Sequence, residues 1–164
     1  MKTIPLTQGK VALVDDVDYD ELNRFKWSAH YRHNNWYAAR NGSSINGKRK
    51  FIYMHREILG LKPGDGIKTD HKNHNGLANW RDNLRICTNA ENLRNKKPKK
   101  GCTSQYKGVC WHKDCHKWVT HIKINNHYAH LGLFTSEIEA AKAYDAAAIR
   151  NFGEFALLNF NHER

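Results

Sequence analysis

The chain has 164 residues, with 27 Lys or Arg against 16 Asp or Glu, for a formal net charge of +11 at pH 7. Its mean hydropathy is −0.81, yet 5 Trp, 7 Tyr and 6 Phe are too many aromatics for a disordered basic tail. No apolar run approaches the ~18 residues of a membrane span, and Met1-Lys2-Thr3-Ile4-Pro5 lacks the apolar core of a signal peptide. An intracellular, cytoplasmic protein is expected, with no membrane partner, and the positive surplus favours a polyanion.

In chain order, residues 10–15 predict a strand with Val11 and Leu13 on one face. An acidic run, Asp15 to Glu21, follows, and Glu21 to Trp27 predicts a short helix. Trp36 to Arg40 and Arg49 to Met54 flank Asn46-Gly47, a strong hairpin signal. His55 to Leu59 predicts a helical turn that stops at Gly60, and Lys62-Pro63-Gly64-Asp65-Gly66 a loop. Residues 1–52 read as a β-rich support region without chemistry of their own.

Ile67 to Thr69 can be a strand that runs into Asp70-His71. A long polar loop follows, then a returning strand, Leu84 to Thr88. Thr88-Asn89-Ala90-Glu91 matches a capping box and opens a helix to about Lys96. Between Asn92 and Lys123 there are nine Lys or Arg against one acid, Asp114. Within that window Asn95-Lys96-Lys97-Pro98-Lys99-Lys100-Gly101 reads as an extended linker, kept open by its own charges. The domain boundary is placed there, with the linker at 98–104.

Beyond the linker, Tyr106 to His112, Trp118 to Ile124 and Tyr128 to Phe134 predict three strands. Asn125-Asn126 is a tight-turn candidate between the last two. Ser136-Glu137-Ile138-Glu139 is a second capping box, and an Ala-rich helix runs to about Asn151 with Gly153 as its stop. The fold class is therefore α+β: a β-rich N-terminal part, a strand–loop–strand–helix unit, then a three-stranded antiparallel sheet on one helix. The four Cys, Cys87, Cys102, Cys110 and Cys115, form no C-x-x-C pair and are expected to be thiols. Cys110, Cys115 and His116, with His112, His121, His127 and His130 nearby, leave a zinc site open beside a reading as ordinary surface and core residues.

Asp70-His71, Asn83 twelve residues after His71, and Asn92 nine residues later resemble the HNH nucleases, also called ββα-metal or His-Me finger nucleases. The likeness covers residues 53–97. It is strongest to the branch found in phage and intron-encoded homing endonucleases, whose third position is Asn. The resemblance implies that His71 is the general base that activates water and that Asn83 braces the loop and orients His71. It implies that Asp70 and Asn92 hold one divalent ion, Mg²⁺ or Mn²⁺, through oxygen. His55-Arg56 stands where relatives often carry His-Arg: Arg56 could touch phosphate, while packing by His55 and a salt bridge by Arg56 explain the pair equally well.

A second set of motifs runs from Ser104-Gln105-Tyr106-Lys107-Gly108-Val109-Cys110-Trp111 through Lys117-Trp118, Leu131-Gly132-Leu133-Phe134 and Ala140 to Ala147, ending at Leu158-Asn159-Phe160. It resembles the ethylene-response-factor (Apetala-type) DNA-binding domain, over residues 104–161. The resemblance implies a sheet laid into the major groove of double-stranded DNA. Strand alternation then puts Val109, Trp111, Trp118, Thr120, Ile122, Ile124, Ala129 and Leu131 toward the helix. Cys110, His112, Val119, His121, Lys123, Tyr128 and His130 point toward DNA. Lys107 and the linker lysines Lys96, Lys97, Lys99 and Lys100 are further DNA contacts. The plant members use mostly Arg and Trp on this face, so bidentate Arg-to-guanine readout is missing here.

Together these readings predict a metal-dependent endonuclease of homing or mobile-element type, nicking one strand of duplex DNA per active site, with no small-molecule substrate. A non-catalytic DNA-binding regulator and a basic protein that coats nucleic acid are the alternatives. Asp70, His71, Asn83 and Asn92 discriminate, because a pure binder does not need them.

Overall fold

Strand β1 (Lys2–Pro5) lies antiparallel to β2 (Val11–Val14), and the pair is completed by β7 (Ala78–Asn79), which runs parallel to β2. The protein is described by a computed structural model covering residues 1–45, 48–97, 101 and 103–160; the side chains of 43–49 are outside that description. Within this range the chain forms two compact units, Met1–Asn89 and Ala90–Arg164.

In the first unit, helix α1 spans Asp16–Leu22, earlier than the predicted Glu21–Trp27. The acidic run explains the difference: Asp16 and Asp18 sit in the first turn, where carboxylates favour the positive end of the helix. In β2 the buried residues are Ala12 and Val14, whereas Val11 is half exposed. The apolar face of that strand is therefore the other parity from Val11 and Leu13. Strands β3 (Ser28–Arg32), β4 (Asn35–Ile45) and β5 (Lys48–Tyr53) form a second antiparallel sheet in the order 3-4-5. The hairpin strands around Asn46-Gly47 are present, and the turn itself lies outside the described residues. Helix α2 (Met54–Ile58) follows without a break and ends ahead of Gly60, which takes φ +69°. Ile4, Ala12, Val14, Leu22, Trp27, Ala38, Met54, Ile58 and Leu84 make the core of this unit.

A third sheet has two strands, β6 (Lys68–His71) and β8 (Leu84–Cys87), paired antiparallel. Helix α3 (Asn89–Arg94) comes next.

The second unit carries β9 (Val109–His112), β10 (Lys117–Ile124) and β11 (His127–Phe134), antiparallel in the order 9-10-11, with α4 (Glu137–Phe152). Asn125 and Asn126 both take positive φ, 47° and 68°, as a two-residue hairpin turn demands. Ser136 caps α4 by accepting from the Glu139 amide. Val109, Ile122, Ala140, Ala141, Tyr144, Ala148 and Phe152 are buried between sheet and helix. Gly108 is required here: at φ +79° a Cβ would also collide with the Tyr144 ring. Asp145, buried in α4, accepts from the amides of Asn159 (2.8 Å) and Phe160 (2.9 Å), and so fastens the segment after the helix. Asn159 in turn bonds both backbone groups of Lys107. The Lys107-Gly108, Asp145 and Asn159 motifs thus have a packing role.

The alternation expected in this sheet holds for Cys110, His112, Lys123, Tyr128 and His130, which are exposed. Val119 is the departure. It sits on the central strand with Cys110 and Leu133 as its cross-strand neighbours, and it is buried. It is not available to a partner on that face.

Candidate functional site

Asp70 and His71 close strand β6. The antiparallel register sets Asp70 opposite Arg85 and His71 opposite Leu84. Directly opposed residues share a face, and Arg85 uses this to donate both Nε (3.0 Å) and Nη2 (2.7 Å) to Asp70 Oδ2. Both side chains are buried. The carboxylate is thus fixed in orientation by a planar, permanently charged donor.

His71 is 7% exposed, and its Nε2 lies 3.1 Å from Asn79 Oδ1. Asn79 is fully buried on β7, and its Nδ2 donates to Met54 Sδ at 3.6 Å. The sulfur can only accept from the amide nitrogen, so the amide oxygen is the atom that faces the imidazole. Nε2 therefore carries the ring proton and Nδ1 the basic lone pair. Burial holds the His71 pKa below the ordinary imidazole value; the Asn79 bond and the Asp70 charge pull the other way. The ring is neutral at pH 7, as a proton acceptor must be.

His55 stacks edge-on against His71, with ring centroids 5.0 Å apart, and Tyr37 lies 6.0 Å from the same ring. Burial above all, then the neighbouring His71 and Arg56, pushes the His55 pKa down to about 3. Its Nδ1 is buried and accepts no hydrogen bond among the described residues. Arg56 does not face outward for phosphate. It donates to the carbonyls of Ile67 (2.7 Å) and Lys62 (2.9 Å) and pairs with Asp65, holding the 62–67 loop.

The loop between β6 and β8 is organised by Asn83. Its Oδ1 accepts from the Asn73 amide (3.0 Å), and its Nδ2 donates to Asn73 Oδ1 (3.0 Å) and to the Ala78 carbonyl (2.6 Å). The Lys72 amide donates to the Asn83 carbonyl as well. Asn35 adds a clamp from β4 through the His74 carbonyl at 2.8 Å. Gly76 is required at the close approach, since a Cβ there would collide with the Trp36 carbonyl and the Tyr37 ring. Buried backbone groups of a 12-residue polar loop are thereby paired, and the loop's ends hold His71 in place.

Asn92 lies on α3 in the second unit and is half-buried. Lys96 and Lys97 are exposed, while Lys99 and Lys100 lie outside the described residues. On the sheet, Lys123 holds its ammonium 5.5 Å from the centre of the exposed Tyr128 ring. Lys107 is placed differently. Its amine donates to the carbonyls of Arg94 and Lys96, and burial lowers its pKa to about 8. Among the described residues no group of three His, Cys, Asp or Glu is arranged to hold a metal ion. The Cys110–His130 region accordingly shows no closed zinc site of the usual kind. No helix among the described residues is long and apolar enough to cross a membrane.

Asn79 and Tyr37 were not singled out by sequence reasoning, and His55 was noted only as part of the His55-Arg56 pair. Asn79 looks like any loop asparagine until the parallel pairing of β7 with β2 buries it.

No protein-family model matches the chain. Similar proteins are of two kinds. Rice (Oryza sativa subsp. japonica) APETALA2-like protein 2 is 45% identical over 60 residues, 35% of this chain and 14% of the rice protein. Ethylene-responsive transcription factor WRI1 of Arabidopsis thaliana is 40% identical over 60 residues, again 14% of its length. The mimivirus (Acanthamoeba polyphaga mimivirus) protein named uncharacterized HNH endonuclease L560 is 31% identical over 129 residues, 76% of this chain and 66% of that protein. The chain therefore spans a small part of the plant relatives and about two thirds of the viral one.

Proposed function

We propose that the chain is a DNA endonuclease of the HNH type that binds duplex DNA through its C-terminal sheet. The observation that carries this reading is the buried His71, its Nε2 facing Asn79 Oδ1, beside a carboxylate oriented by Arg85. Such an arrangement supports a hydrolase, which uses an oriented imidazole as its base. His71 Nδ1 would take the proton of the attacking water as its oxygen approaches phosphorus. Asn83 would keep the loop closed so that the imidazole holds its aim. Name-level support comes from the viral relative, which is called an HNH endonuclease.

The resemblance implies a hard divalent ion, and Asp70, whose Oδ2 accepts from Arg85, brings a carboxylate, the donor type such an ion takes, next to His71. Such an ion keeps waters and takes substrate phosphate as its other ligands. Asp70 would hold Mg²⁺ or Mn²⁺, and the ligand role of Asn92 rests on the resemblance. When bound, the ion would offset charge at the phosphate and the leaving 3′ oxygen. His112, His121, Lys123, Tyr128 and His130, with Lys96, Lys97, Lys99 and Lys100, are the proposed DNA contacts. Nicking of one strand per site and a homing or mobile-element role belong to the same proposal.

The test is conversion of supercoiled plasmid with Mg²⁺, Mn²⁺ or EDTA, using wild type and His71→Ala. Metal-dependent nicking that His71→Ala abolishes is the expected outcome. Plasmids that stay intact across ions and target sequences, with DNA still bound, would identify a non-catalytic DNA-binding regulator instead.

A further inference from the structure

His121 on β10 and His130 on β11 are direct cross-strand partners next to the one register shift of that ladder. Their rings lie 5.2 Å apart, centre to centre, and His130 Nδ1 faces His121 Nε2 at 3.4 Å. As a hydrogen bond this is long, beyond the ~2.7–3.2 Å of a good one. The separation equals the edge of a zinc tetrahedron, since two nitrogens each ~2.0–2.1 Å from the ion stand ~3.3–3.4 Å apart, and a small turn of the rings would aim both lone pairs at one point. We propose that His121 and His130 form a two-histidine chelating site for a borderline divalent ion, Zn²⁺ or Ni²⁺.

Two further observations bear on it. The backbones that carry the pair are fixed: the His121 amide donates to the Gly108 carbonyl (2.9 Å) on one side, and the ladder sets His121 opposite His130 on the other. No third His, Cys, Asp or Glu joins the pair among the described residues, so the remaining positions are open to water or to an oxygen ligand such as phosphate. Imidazole nitrogen selects against Mg²⁺, so this site is distinct in chemistry from the one proposed at Asp70.

The full-length chain is titrated with Zn²⁺ without DNA and followed by the ring resonances of its histidines. The expected result is that the His121 and His130 signals move first and together, while excess Mg²⁺ leaves them unmoved. His121→Gln and His130→Gln should each weaken this binding about a hundredfold, because one intramolecular ligand is lost. His127→Gln, on the same strand but opposite Ile124, should not. Separate movement of the two signals, or Zn²⁺ affinity unchanged in both variants, overturns the site. Neither result touches the nuclease reading, since no DNA is present.

Discussion

Asn79 Oδ1 faces His71 Nε2 at 3.1 Å inside the first unit, and the Asn79 amide nitrogen is directed to Met54 Sδ. The oxygen's orientation is thus decided by a sulfur on α2, one step removed from the imidazole whose tautomer it sets. Replacing Asn79 by Leu removes the acceptor and leaves the Nε2 proton buried and unpaired, at a cost of about 1–3 kcal/mol. The ring then has reason to shift its proton to Nδ1, the atom needed as the base. Cleavage should fall about 10²-fold or more, while DNA affinity stays as it was. Nitrogen-15 chemical shifts of His71 check the tautomer directly, and an unchanged Nε2–H form in the variant would refute the role of Asn79.

The Asp70–Arg85 pair is buried on both sides. Removing only Arg85, as Arg85→Leu, takes the guanidinium away from a buried carboxylate and should cost about 3–5 kcal/mol. The double variant Asp70→Asn with Arg85→Leu should recover much of that loss. Urea unfolding of wild type, Asp70→Asn, Arg85→Leu and the double variant measures the coupling. A double variant as unstable as Arg85→Leu alone would mean that the carboxylate is not what suffers.

Much of this was readable from the chain, for identifiable reasons. Strands β4 and β5, the Asn125-Asn126 turn, the Ser136 cap and the positions of Asp70, His71 and Asn83 about two short strands follow from local chemistry. What was not readable depends on distant partners. Asn79 matters because β7 pairs with β2 from the other end of the sequence. Ala12 and Val14, not Val11 and Leu13, are buried for the same reason. Val119 is covered by cross-strand neighbours that alternation alone does not weigh. The amine of Lys107 is consumed by two backbone carbonyls that no sequence pattern announces.

His55 ties stability to acid. Its pKa is about 3 in the folded protein against an ordinary 6.5. Between those values the unfolded chain binds a proton that the folded one refuses. Its contribution is fully present above pH 6.5 and is lost as the pH falls toward 3, at up to ~1.4 kcal/mol per pH unit. His55→Phe removes both this proton and the buried, unbonded Nδ1. The variant's stability should decline less steeply from pH 6.5 to 4.5 than that of the wild type. Equal slopes in unfolding titrations across that interval would show that His55 is protonated in the folded state after all.

Two lysines on the second unit should respond in opposite ways. Lys123 is exposed, and its ammonium lies beside the Tyr128 ring next to the Asn125-Asn126 turn. Lys123→Ala should leave the fold intact and weaken DNA binding, reducing the salt dependence, log K against log [salt], by about 0.9 in slope for a lost phosphate contact. Lys107 gives its amine to the Arg94 and Lys96 carbonyls inside the unit. Lys107→Met takes the donor from one part-buried and one exposed carbonyl, so stability should fall by about 0.5–1.5 kcal/mol. The salt slope of the folded protein should not change. Fluorescence anisotropy over a series of NaCl concentrations, paired with thermal unfolding, separates the two effects. A reduced slope in Lys107→Met with wild-type stability would return Lys107 to the DNA-contacting set and show that its carbonyl partners release it when DNA binds.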